Sequence, residues 1–210
     1  MTTTRFRETI TTLAELRSVV AGPHELALRK EIHALDDHCR AFIGRSPFLL
    51  LATSNAQGRC DVSPKGDAPG FVQLLGDNTL LLPDRPGNQR LDSLQNIIEN
   101  PHAGLLFIIP GVEWTLRVNG RARIVRDDDL RERLAFQGRP PALVIVVDVE
   151  EAFLHCPKCF KRSQFWDTSC WMPAAEQPSF AAVIRDHTEL GDIPVETIDK
   201  ALEASNRKLY

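Results

Sequence analysis

Thr115-Leu116-Arg117-Val118-Asn119-Gly120-Arg121-Ala122-Arg123-Ile124-Val125 is the stretch on which the fold turns. Leu116, Val118, Gly120, Ala122 and Ile124 alternate with Arg117, Asn119, Arg121 and Arg123. Side chains of an extended chain point alternately to opposite faces, so this period of two separates an apolar row from a basic one. Such a strand buries one face, as strands of antiparallel sheets do. Working outward, the same texture continues. Leu105–Ile109 leads in through Pro110-Gly111, and the Val/Ile run Leu143–Val149 has the composition of a central strand. Upstream, Phe71–Leu75 and Thr79–Leu82 flank Gly76-Asp77-Asn78, a hairpin signal. Phe48–Thr53 ends at the turn cluster Asn55–Gly58.

Helical periodicity lies mainly outside this β-rich span. Leu28, Ile32, Leu35, Cys39, Phe42 and Ile43 recur at three- and four-residue spacing between Pro23 and Gly44, which predicts one helix there. Short helices are expected at Leu91–Asn100 and Asp128–Phe136, and again at Ser179–Leu190 and Val195–Leu209. Short strands with helices at the ends and in one connection describe a mainly β protein, a β-barrel with peripheral helices. The expected division is a helical N-terminal extension over 1–45, the barrel over 46–172, and a helical C-terminal extension packed on it over 173–210.

Composition narrows the function classes. The chain has 210 residues, with 25 Lys+Arg against 28 Asp+Glu and a net charge of −3, so no general electrostatic case for nucleic acid exists. The apolar runs Phe48–Ala52 and Ala142–Val147 are too short to cross a bilayer. No secretory signal pattern opens the sequence, and five cysteines are an odd number, so we expect reduced thiols in the cytoplasm. Neither G-x-G-x-x-G nor the P-loop pattern occurs. Gly44-Arg45-Ser46-Pro47-Phe48 lacks the second glycine of a nucleophile elbow. His33 and Asp37, at i, i+4, read as a solvated pair on one helix face. Cys156-Pro157-Lys158-Cys159, with His155 and Cys170, leaves three readings open: ordinary thiols, a zinc site or a redox dithiol.

Three segments gather cations with small polar donors in apparent turns: Arg59–Asp67, Pro83–Ser93, and Lys158–Ser163 with Trp166 just beyond. In a slightly acidic protein this pattern points to an anionic ligand. A phosphomonoester suits it, because guanidinium forks bind its oxygens bidentately while Asn and Ser donors complete the shell. The competing reading is that the three segments are solvated and never meet.

Five blocks, in order, resemble the pyridoxamine 5'-phosphate oxidase-like family of FMN-binding split barrels. They are Val62–Asp67, Leu80–Arg90, Asn100–Phe107, Arg117–Ala122, and His155–Lys158 with Lys161, Arg162, Ser163 and Trp166. The resemblance implies a homodimer with FMN in a groove at the subunit interface. It places Val62, Ser63 and Lys65 along the flavin ring and ribityl chain. Asn88 and Arg90 would hold the phosphate with Arg85 nearby, and Thr115 would face the flavin. Lys158, Arg162, Ser163 and Trp166 would close the site, in one arrangement from the partner subunit. The implied activity is hydride transfer at flavin N5 with a small-molecule substrate or reduced nicotinamide, since the cofactor carries the hard step and no side chain stands out as acid or base. The alternative on the same fold is a non-catalytic protein that binds or stores flavin, deazaflavin or haem. The vitamin B6 reaction itself is not implied. Arg59 and Lys65 stand one residue further apart than the Arg-x-x-x-x-Lys of the genuine oxidases, and the Arg-x-His substrate signature is not reproduced.

Overall fold

The Thr115–Val125 alternation lies at the centre of a seven-stranded antiparallel sheet. The structure is a computed structural model, and it describes residues 6–189, 191–207 and 209–210. In chain order the elements are α1 (Leu13–Val19), α2 (Glu25–Arg29), α3 (Asp37–Arg45), β1 (Phe48–Ser54), β2 (Cys60–Gly66), β3 (Gln73–Leu75), β4 (Thr79–Pro83), α4 (Asp92–Glu99), β5 (His102–Ile108), β6 (Thr115–Val125), α5 (Asp128–Arg133), β7 (Val144–His155), α6 (Lys158–Ser163), α7 (Phe180–His187) and α8 (Val195–Asn206). The strands are ordered β2-β1-β5-β6-β7-β4-β3. This is a split barrel with peripheral helices, the architecture expected from the sequence.

The main core is built from alternate positions of the strands. Leu49, Leu51, Leu105, Phe107, Leu116, Val118, Ile145 and Val147 share one face with Phe42 and Ile43 of α3 and Leu94 and Ile97 of α4. A smaller cluster, Leu81, Leu134, Val144 and Val146, fills the other face beneath α5. That is why β4 and β7 read as continuous apolar runs: both their faces are covered. The ladder between β6 and β7 breaks register at Asn119/Gly120. A Cβ on Gly120 would lie 2.0 Å from the Asp148 carbonyl oxygen, so only glycine fits the bulge. Across it, the core positions of β7 pass from Ile145, Val147 and Val149 to Ala152, a step of three. The extra residue keeps the apolar side chains on one face although the alternation is interrupted.

The basic row of β6 is answered by its neighbour strands. Arg117 and Asn119 both reach Glu151, and Arg123 pairs with Asp148. Arg121 meets His102 on β5.

The single helix expected between Pro23 and Gly44 is instead two, α2 and α3, separated by residues 30–36. Ile32 leaves the helical path because its backbone exchanges hydrogen bonds with Ala152 on β7. Asp36 then starts α3 by accepting from the Cys39 N–H at 2.8 Å. His33 and Asp37 therefore do not share a helix face. His33 instead approaches the Glu150 carbonyl at 3.1 Å through Nδ1. The helix expected over Asp128–Phe136 ends at Arg133, and Phe136 and Arg139 close a small turn. The Ser179–Leu190 and Val195–Leu209 expectations correspond to α7 and α8; residues 190 and 208 lie outside the described residues. No helix among the described residues is long and apolar enough to cross a membrane.

Candidate functional site

The edge strand β2 forms one wall of a groove of about 650 Å³. It contributes Asp61 through Lys65. The second wall is the loop from Asp84 to Leu91 with the first turn of α4, and the third is Arg139–Ala142 together with Tyr210. Because β2 pairs only with β1, its other edge is free of the sheet. Its residues alternate between half-buried and exposed with neither face sealed. This explains why Arg59–Asp67, expected to be a turn, is largely strand: it carries no apolar alternation because it covers no core.

The loop between β4 and α4 has an unusual backbone. Gln89 and Leu91 are both left-handed, with φ of 59° and 62°. Non-glycine residues held there store strain, and such strain gathers where a site demands it. The Asn88 side-chain oxygen accepts the Arg90 N–H at 3.1 Å, which fixes the turn. Leu91 caps α4 without a side-chain hydrogen bond.

Four cations, Lys65, Arg85, Arg90 and Arg139, line the groove with three carboxylates, Asp61, Asp84 and Asp92. The cations are not loose. Lys65 Nζ lies 3.6 Å from Asp84, and Arg90 Nε donates to Asp92 at 2.8 Å, which raises the Arg90 pKa further. Arg85 is the most firmly held. Its Nε donates to Asp67 at 2.6 Å and its Nη2 to the Leu134 carbonyl at 3.1 Å. The Asp67 side chain is 1% exposed. Burial alone would raise its pKa, but hydrogen bonds from Tyr210, the Ala68 N–H and Arg85 outweigh that and hold it below the ordinary value. Asp61 accepts from Ser93 Oγ at 2.5 Å.

Of the positions singled out in the sequence, Val62, Ser63, Lys65, Arg85, Asn88 and Arg90 line this one groove. The other five do not line it within the chain. Thr115 is buried at the start of β6 opposite His155, on the face it shares with Arg117 and not on the core face of Leu116. Lys158, Arg162 and Ser163 are exposed on α6, where Ser163 Oγ donates back to the Cys159 carbonyl. Trp166 donates from Nε1 to the Val112 carbonyl at 3.0 Å and stacks on Phe160. The described residues contain no group of three or more His, Cys, Asp or Glu side chains placed to share a metal. Cys156, Cys159 and Cys170 are free and exposed. Sequence reasoning missed Asp67, Arg139 and Tyr210 as parts of this site. Only Asp67 lay inside a motif that could have drawn attention to it.

A family model described as pyridoxamine 5'-phosphate oxidase matches residues 35–156. The match covers β1 through β7, more than half of the chain, and includes the β2 wall and the β4–α4 loop. The chain belongs to the pyridoxamine 5'-phosphate oxidase family. No curated protein matches the sequence. Among solved structures, it is similar to HupZ of Group A Streptococcus at 19% identity, over 57% of this chain and 93% of that one, with a TM-score of 0.47. It is also similar to HutZ, the haem storage protein of Vibrio cholerae, at 19% identity over 58% and 93%, TM-score 0.39. An FMN-binding protein of Syntrophomonas wolfei shares 11% identity over 69% and 97%, TM-score 0.42.

Proposed function

We propose that this protein is an FMN-binding flavoprotein acting as an FMN-dependent oxidoreductase on a small-molecule substrate or reduced nicotinamide. The observation that carries the reading is the meeting of Val62–Lys65, Arg85, Asn88 and Arg90, from two separate segments, around one groove. Its volume of about 650 Å³ suits a cofactor, since such sites commonly span roughly 300–1,000 Å³.

The donor set fits a phosphorylated flavin. Arg90 and the Asn88 amide stand at the loop end of the groove as phosphate donors, and the Arg90–Asp92 pair, with side chains 71% and 43% exposed, is weak enough to exchange for a dianion. Ser63 and the free edge of β2 offer hydroxyl and backbone partners for the polar rim of a ring. Val62, 59% exposed, gives that ring an apolar surface. Lys65, neutralised by Asp84 in the absence of ligand, would balance negative charge on a reduced flavin. When bound, FMN supplies hydride transfer at N5; the chain's part is to bind, orient and balance charge.

A homodimer with flavin at its interface completes the proposal, with Lys158, Arg162, Ser163 and Trp166 closing the groove from the partner subunit, whereas Thr115, buried in its own chain, has no part in it. The exposed surface supports association. Helices α1, α2 and α8 bury no residue, and Leu13, Val19 and Leu26 are open to solvent. We place the protein in the cytoplasm on its unpaired thiols.

Equilibrium titration of purified protein with FMN, followed by anaerobic addition of NADH or NADPH, tests both levels of the reading. Stoichiometric binding with reduction of the flavin is expected. Binding without reduction by nicotinamides or candidate substrates would leave a carrier or storage protein, and no binding would remove the flavin reading altogether.

A further inference from the structure

We propose that Tyr210 is a positioning residue for the ligand's phosphate, acting through Asp67 on Arg85. The proposal rests on the flavin reading above, which supplies the phosphate. Tyr210 comes to the groove from beyond α8, 143 positions from Asp67 in the sequence, and its hydroxyl donates to Asp67 Oδ1 at 2.6 Å. Its ring stacks on Phe136, with centroids 4.5 Å apart and planes at 27°. Arg139 Nη1 donates to the Tyr210 main-chain oxygen at 2.7 Å, so side chain and backbone are both fixed. The Arg85 guanidinium carbon lies 5.7 Å from the ring centre.

The chain of contacts runs from a phenol to a carboxylate to a guanidinium. Asp67 uses Oδ1 for Tyr210 and for its neighbour's Ala68 N–H, and Oδ2 for Arg85 Nε. With both oxygens committed, the carboxylate cannot turn. Arg85 is then clamped along two edges, by Asp67 and by the Leu134 carbonyl, while its Nη1 makes no hydrogen bond among the described residues. An arginine lining an anion groove, with its plane fixed and one terminal nitrogen free, loses little rotamer freedom when it binds. Outer hydrogen bonds of this kind orient the groups that touch a ligand. Tyr210 also lowers the cost of placing a phosphate near a buried carboxylate, because its hydroxyl shares the Asp67 charge.

Tyr210→Phe keeps the ring and its stack on Phe136 but removes the hydroxyl, so it isolates the relay. Dissociation constants of FMN and riboflavin, measured for wild type and variant, separate a phosphate effect from a general one. We expect FMN to bind about tenfold more weakly to the variant, the scale of one hydrogen bond to a charged group, with riboflavin unchanged. Equal weakening of both flavins, or no change in either, would overturn the relay while leaving flavin binding intact. Inorganic pyrophosphate provides a second probe. If wild type binds pyrophosphate but not FMN, and the variant loses pyrophosphate affinity, the relay stands and the flavin reading falls. Binding of neither FMN nor pyrophosphate to wild type would overturn both.

Discussion

Two groups of basic side chains in this molecule look alike in the sequence and behave differently in space. On β6, Arg117 and Arg123 meet acids that the β6–β7 ladder delivers, Glu151 and Asp148. Their partners follow from strand pairing and would be found in any sheet with this register. Around the groove, Lys65, Arg85, Arg90 and Arg139 arrive from β2, from the loop before α4 and from the turn after α5. No ladder brings them together. The first group therefore follows from sheet architecture, and the second is gathered around one groove by the tertiary fold from several directions. A row of charge along a strand is weak evidence for a ligand; charge converging from unlike segments is strong evidence.

That contrast can be broken at both ends. The largest effect is expected where the β6–β7 ladder itself depends on one residue. Gly120→Ala should cost about 3 kcal/mol or more of stability, because its Cβ would enter the Asp148 carbonyl; the denaturant midpoint measures this. An unchanged midpoint would mean that the bulge relaxes freely. Next comes Arg85→Ala, which leaves the Asp67 carboxylate buried without its cation. It should cost about 2–3 kcal/mol in the same measurement and also weaken FMN binding. Arg90→Ala separates binding from stability, since the side chain is largely exposed. FMN should bind about tenfold more weakly while the thermal midpoint stays put. An unaltered FMN constant would show that the phosphate lies elsewhere.

A smaller effect should appear in the pH dependence. The folded state holds the Asp67 carboxyl below its unfolded value, so the unfolded chain binds more protons. Its contribution is present above the ordinary carboxylate range and is lost as pH falls through the folded value. The stability gap between wild type and Tyr210→Phe should accordingly be widest near neutrality and close in acid. Last comes Arg123→Ala on the ladder. Its ion pair with Asp148 is about half exposed, and its loss should cost less than about 1 kcal/mol with FMN affinity unchanged.

The fold was legible wherever a local period reflects a local cause. The β6 alternation, the β3–β4 hairpin around Gly76 and the apolar run of β7 all correspond to strands, because in each the core selects the side chains. Periodicity failed where the backbone obeyed a distant partner. Leu28 and Ile32 continue the spacing of Leu35, Cys39 and Phe42, yet Leu28 is exposed and Ile32 bridges to Ala152. β2 was misread as turn because a strand with two open faces has no hydrophobic signature. Within the groove, the cations of the β2 and β4–α4 segments were readable by residue type. Their acidic partners were not, since Asp84 and Asp92 look like ordinary loop acids until the fold sets them beside Lys65 and Arg90. Tyr210 left no trace at all in local sequence, because its role is created by a contact across most of the chain.

The register break in β7 has a consequence for how this strand tolerates change. Residues before and after Glu150 follow two reading frames, Ile145, Val147 and Val149 in one and Ala152 in the other. Exchanging the exposed Glu150 side chain alters neither frame. Deleting that position shortens the step from Val149 to Ala152 to two, so plain alternation holds both against the core and the ladder with β6 runs on without its bulge, which no single replacement at the same place achieves.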